Sequence, residues 1–71
     1  MGKQIRINLH SLIDERNISM RELGRLTDIR HATLIELANG KRQNIHFDHI
    51  LKIADALDIT DIREIITIED I

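Results

Sequence analysis

Residues 4–8 alternate, with Ile5 and Ile7 set between Gln4, Arg6 and Asn8, which is the two-residue period of a strand. Ile66, Thr67, Ile68 and Glu69 alternate in the same way near the other end. Two short terminal strands are predicted, able to pair within one chain or between two. From Leu9 the period lengthens. Leu9, Leu12 and Ile13 fall at helical spacing and predict a first helix over about 8–17, with Asn8 as its cap and Asn17 at its C-terminal end. Ser19-Met20-Arg21-Glu22 has the form of a capping box. The serine oxygen takes a helix amide and the glutamate reaches back to the serine amide. A second helix over about 20–27 follows, burying Leu23 with Leu26 or Thr27, and Ile18 and Leu23 are placed to staple its start. Asp28-Ile29 breaks the pattern, and aspartate enters the left-handed backbone region more readily than most residues. A third helix runs from about 30 or 31 to 38, with Leu34, Leu37 and Ala38 inward, and Asn39-Gly40 ends it. Ile45 and Ile50 bracket His46 as a second staple. The fourth helix, about 47–57, carries Ile50, Ile53, Ala54 and Leu57 at i, i+3, i+4, i+7. Thr60 is the expected cap of a fifth helix over about 61–66, with Ile62, Ile65 and Ile66 inward. The expected fold is all-α, five short helices with short terminal strands.

Composition narrows the classes of function. A chain of 71 residues reads as one domain and leaves no room for a deep catalytic cleft. It has no cysteine, which removes disulfides, thiolate zinc sites and a cysteine nucleophile. His46 and His49 stand three apart with Asp48 between them, but no further ligands gather near, so no metal is expected. There is no serine–histidine–acid pattern and no phosphate loop, so neither an enzyme nor a cofactor or small-molecule substrate is expected. Purely apolar runs are too short to span a membrane, the N-terminus shows no signal-peptide pattern, and the expected location is cytoplasmic. The one aromatic residue, Phe47, makes base stacking on single-stranded RNA a poor match.

The net charge is −2, yet residues 1–42 hold eight Lys/Arg against five acids, a sum of +3, and residues 43–71 sum to −5. A basic face on one half is how a small net-acidic module can meet DNA, and ordinary solvated charge is the plain alternative.

The second and third helices, with their short turn, form a helix-turn-helix pattern over about 19–39. Two helices that cross closely want a small residue at the contact, here Gly24. The turn wants a residue of unusual backbone, Asp28. Leu23, Ile29, Leu34 and Leu37 lock the pair. The run Ser19 to Arg30, then Ala32-Thr33-Leu34, Leu37, Asn39-Gly40-Lys41, and downstream Phe47-Asp48 and Ile53-Ala54-Asp55-Ala56-Leu57, resembles the lambda-repressor-like Cro/CI helix-turn-helix family over about residues 8–66. The resemblance implies a double-stranded DNA-binding regulator, a repressor of phage, prophage or plasmid type. Four positions depart from the pattern. Met20 stands where the family usually has a glutamine touching phosphate, Gly24 replaces a common alanine, and Asp28 replaces a common glycine. Ile35 is apolar where an exposed polar residue is usual, and burial is its expected fate.

On this reading the third helix presents Arg30, His31, Ala32, Thr33 and, one turn on, Glu36 to base edges. Arginine can clamp guanine O6/N7, an alanine methyl can meet thymine, and a carboxylate can only accept, from cytosine N4. Solvated side chains, or for Glu36 a partner one turn back, are the alternatives. The resemblance places Lys41, Arg42, Gln43 and Asn44 on the phosphate backbone, and Arg21 is well placed for phosphate, where charge supplies affinity rather than sequence information. Arg25 is a phosphate ligand or a partner of Glu22. One unit covers half an operator, so a homodimer is expected, with Ile66, Ile68 and Ile71 as its available surface. A protein-interaction module, an antitoxin or antirepressor that keeps the fold, is the rival reading. The acidic half, Met20, Asp28 and Ile35 favour it.

Overall fold

The computed structural model describes residues 2–41 and 44–71. Strand β1 (Lys3–Ile7) leads into four α-helices, α1 (Leu9–Arg16), α2 (Met20–Thr27), α3 (His31–Ala38) and α4 (Phe47–Leu57). A single 3₁₀ turn (Ile62–Glu64) follows, and β2 (Ile66–Asp70) closes the chain. β1 and β2 pair antiparallel within the chain, with Lys3 opposite Asp70, Ile5 opposite Ile68 and Ile7 opposite Ile66.

The helix ends explain the spans. Ser19 Oγ accepts the Glu22 amide at 3.0 Å and starts α2. The other half of the expected capping box is diverted, because the Glu22 carboxylate binds Arg25 instead. Asn8 stands before α1 but makes no side-chain cap; its amide donates to the Ile65 carbonyl at 2.8 Å. α1, α2 and α4 end on Asn17, Asp28 and Asp58, with φ of 55°, 58° and 54°. Each is followed by an isoleucine, Ile18, Ile29 or Ile59, that returns to the core. At α1 and α4 the Ile18 and Ile59 amides close the end by donating to the Ile13 and Ala54 carbonyls at 3.1 and 2.8 Å. α3 ends likewise on Gly40 at φ 68°, with the Lys41 amide on the Glu36 carbonyl at 3.0 Å.

Leu9, Leu23, Leu34, Ile53 and Ile65 are fully buried, one from each α-helix and one from between the 3₁₀ turn and β2. Of the two candidates on α2, Thr27 is buried and Leu26 is 46% exposed. The Thr27 hydroxyl is satisfied by donating to the Leu23 carbonyl at 2.7 Å.

The expected fifth helix does not form. Asp61, not Thr60, is the cap: its carboxylate accepts the Arg63 amide at 2.9 Å. After one turn Ile65 is 1% exposed, and Ile66 enters β2. The run Ile65-Ile66-Thr67-Ile68 is β-branched throughout and prefers the strand that β1 offers. Ile62, expected inward, faces out. Among the described residues no helix is long and apolar enough to cross a membrane.

Candidate nucleic-acid interface

Three features fix how α3 sits on α2. Gly24 lies at the crossing, where a Cβ would stand 3.1 Å from the Ile29 carbonyl oxygen and 3.6 Å from Leu34 Cδ1. Asp28 reverses the chain in the left-handed region. Ile29, Leu34 and Leu37 are buried, which sets the roll of α3 about its axis. His31, Ala32, Glu36 and Asn39 then face solvent, and Ala32, Glu36 and Asn39 follow one another at i, i+4, i+7 along one side. Arg30 is exposed at the N-cap position and makes no side-chain cap bond. Thr33 is half-buried at the margin of this side, and so is Ile35, which packs against the core. Of the expected base-reading set, Arg30, His31, Ala32 and Glu36 are exposed and Thr33 is half-buried, with Ala32 and Glu36 on one side of α3 and His31 and Thr33 on opposite flanks of it.

Arg21 is exposed in the first turn of α2. Met20 beside it is 8% exposed, and its side chain belongs to the core. The substitution at that position thus adds packing and leaves Arg21 as the cationic group there. Lys41 and Asn44 are exposed between α3 and α4, while Arg42 and Gln43 lie outside the described residues. Asn39 was legible only as a helix end. Its Oδ1 lies 3.4 Å from His10 Nε2, and its place on the exposed stripe follows from its spacing to Ala32.

Ion pairing separates the cations. Lys3, Arg6, Arg16, Lys52 and Arg63 each have a carboxylate within 4 Å in the same chain, on Asp70, Glu69, Glu15, Asp48 and Asp61. Arg25 is held by Glu22, with Nε donating to Oε2 at 3.1 Å and a second bond to Oε1. That hydrogen-bonded pair holds the Glu22 carboxyl below the ordinary carboxylate range and raises the Arg25 guanidinium. Arg63 does the same to Asp61. Arg21, Arg30 and Lys41 form no ion pair with the described residues. All three belong to the helix-turn-helix or the turn that leaves it.

The sequence profile of the Cro/C1-type HTH DNA-binding domain matches residues 8–70. The chain belongs to this family. The match takes in α1, the helix-turn-helix, α4 and all of β2, while β1 lies ahead of it. No curated protein and no solved structure matches the chain. A Cro/C1-type domain is a DNA-binding module of transcriptional regulators. Among the described residues no three His, Asp or Glu side chains are grouped to hold a metal ion. His46 and His49 meet edge to face instead, with ring centroids 5.1 Å apart.

Proposed function

We propose that this chain is a single-domain, sequence-specific repressor of phage, prophage or plasmid type, cytoplasmic and without enzymatic activity. It binds double-stranded operator DNA as a homodimer. The observation that carries the reading is the segregation of unpaired cations. Six described Lys and Arg side chains are paired with carboxylates of the same chain, and the three that are not, Arg21, Arg30 and Lys41, belong to the helix-turn-helix or the turn that leaves it. Arg30 clamps guanine, His31 donates to a base acceptor, Ala32 and Thr33 meet neighbouring base edges, and Glu36 accepts from cytosine. Arg21, Lys41, Arg42, Gln43 and Asn44 hold phosphates. Two copies read half-sites about 34 Å apart or a multiple of it.

Selection of bound duplexes from a random pool, followed by titration of the winner at two salt concentrations, tests this. A pseudo-palindromic site is expected, with affinity falling steeply in salt because each phosphate contact releases counterions. Weak, unselective binding that ignores salt would instead favour a protein-interaction module, the reading that the acidic half of the chain and the exposed Asp28 carboxylate support.

A further inference from the structure

His10 meets the far end of α3. Its Nε2 donates to Asn39 Oδ1 at 3.4 Å, the long end of an N–H···O bond, and the residue is exposed. Asn39 lies on the side of α3 that carries Ala32 and Glu36, opposite the buried Leu34 and Leu37. His10 therefore stands beside this helix although it belongs to α1. The surroundings leave it without a counter-charge. It shares a polar hollow with Arg6 of β1, Glu69 of β2, Ser11, Asn39 and Gly40. Arg6 and Glu69 answer each other, Nη1 donating to Oε2 at 3.4 Å. Asp14 follows His10 by one turn of α1, Glu36 precedes Asn39 by one turn of α3, and Lys41 lies just past α3. His10 forms no ion pair with any described residue.

We propose that His10 is a further ligand of the DNA backbone, holding a phosphate at the C-terminal end of α3, and that its charge makes operator binding depend on pH. This contact rests on the operator-binding reading and adds to it a residue outside the helix-turn-helix. Length sets where it falls. From Ala32 to Asn39 the helix rises about 10 Å, close to the roughly 12 Å width of the major groove. A helix that reads base edges with its first residues brings its other end to the groove wall, where the phosphates run. Asn39, Lys41 and His10 arrive there together. A phosphate oxygen accepts from Nε2–H in place of Asn39 Oδ1, and its charge favours the imidazolium. Histidine changes charge between about pH 5 and 8, unlike the lysine and arginines of the same surface. DNA binding thus takes up a proton at this ring. The affinity it adds is full in acid and is lost as pH rises.

The test is duplex affinity against salt at about pH 6 and about pH 8, two points that bracket the histidine range, for the parent, His10→Gln and His10→Lys. Circular dichroism checks each fold at both values. Glutamine keeps a donor but never the charge, and lysine keeps the charge throughout. At the lower pH the parent's slope of log K against log salt is expected to be steeper than that of His10→Gln by up to about 0.9, the worth of one phosphate contact. At the higher pH the two slopes should coincide, and His10→Lys should hold the steeper slope at both. Between the higher and the lower pH the parent should gain about two- to fivefold more affinity than His10→Gln. The gain should be the same on selected and random duplex, since a phosphate carries no sequence information. His31 is present in parent and variants alike, so any titration of it cancels. Identical slopes for the parent and His10→Gln at both pH values overturn the contact and leave duplex binding standing. A difference that persists undiminished at the higher pH overturns the role of the proton. A parent that binds no duplex at either pH overturns this contact and the operator-binding reading together.

Discussion

Arg25 and Arg30 stand five residues apart and differ in one respect that matters, since a glutamate already holds the first. Arg30→Ala is expected to reduce the preference for the selected operator over random duplex by about 1–3 kcal/mol, measured by competition binding. Lys41→Ala should instead weaken all duplexes alike and lower the slope of log K against log salt by about 1. Equal losses of selectivity in both variants would mean that α3 is docked wrongly. Arg25→Ala should leave DNA affinity close to the parent. Its effect belongs to Glu22, whose carboxyl then returns to the ordinary carboxylate range in an NMR titration. The sign is set by the lowered pKa. Whatever stability the pair adds is present above the ordinary carboxylate value and is lost as pH falls through the depressed one. The side chains are solvent-accessible, so that contribution is small. A titration of Glu22 unchanged in Arg25→Ala would show that the ion pair does not persist in solution.

Three helices of this chain end on a non-glycine residue in the left-handed region, and that is a testable cost. Asp58→Ala removes the short polar side chain that tolerates φ near 54° and should lower unfolding stability by about 1 kcal/mol, with Asp58→Gly close to neutral. Urea denaturation decides, and an alanine variant as stable as the glycine one would show that the backbone relaxes there. Caps and periods of this kind made the helices legible: the sequence predicts about 8–17, 20–27 and 47–57, and the structure has Leu9–Arg16, Met20–Thr27 and Phe47–Leu57. The segment 61–66 was misread because Ile62, Ile65 and Ile66 satisfy a helical period while Ile66 and Ile68 satisfy a strand period. What separates them is distant in sequence: the Asn8 amide takes the Ile65 carbonyl, and β1 claims the residues beyond. The exposed side of α3 was legible because the apolar positions Ile29, Leu34 and Leu37 that set its roll are plain in the sequence. Which cations remain unpaired was not, since pairs such as Lys3–Asp70 and Arg6–Glu69 exist only once the termini meet.

At the scale of the molecule the charges are sorted rather than balanced. The stretch that carries the helix-turn-helix sums to +3, and the remainder, which includes α4 and β2, sums to −5. The segment that carries α2 and α3 is thus net positive within a net negative chain, and a duplex approaching it feels both contributions. Acids outside the helix-turn-helix act on encounter, through the long-range field, and not on the contact once formed. Asp55 on α4 and Glu64 in the 3₁₀ turn are exposed and form no ion pair with the described residues, so they report that field without disturbing a partner. Asp55→Asn/Glu64→Gln should raise the association rate on operator DNA several-fold at low ionic strength, as measured by stopped-flow fluorescence. Near 0.15 M salt, where screening acts over about 8 Å, the gain should shrink toward nothing. The dissociation rate should match the parent at both ionic strengths. A changed dissociation rate would place these acids in contact with DNA, and would require the duplex to lie across α4 rather than along the exposed side of α3.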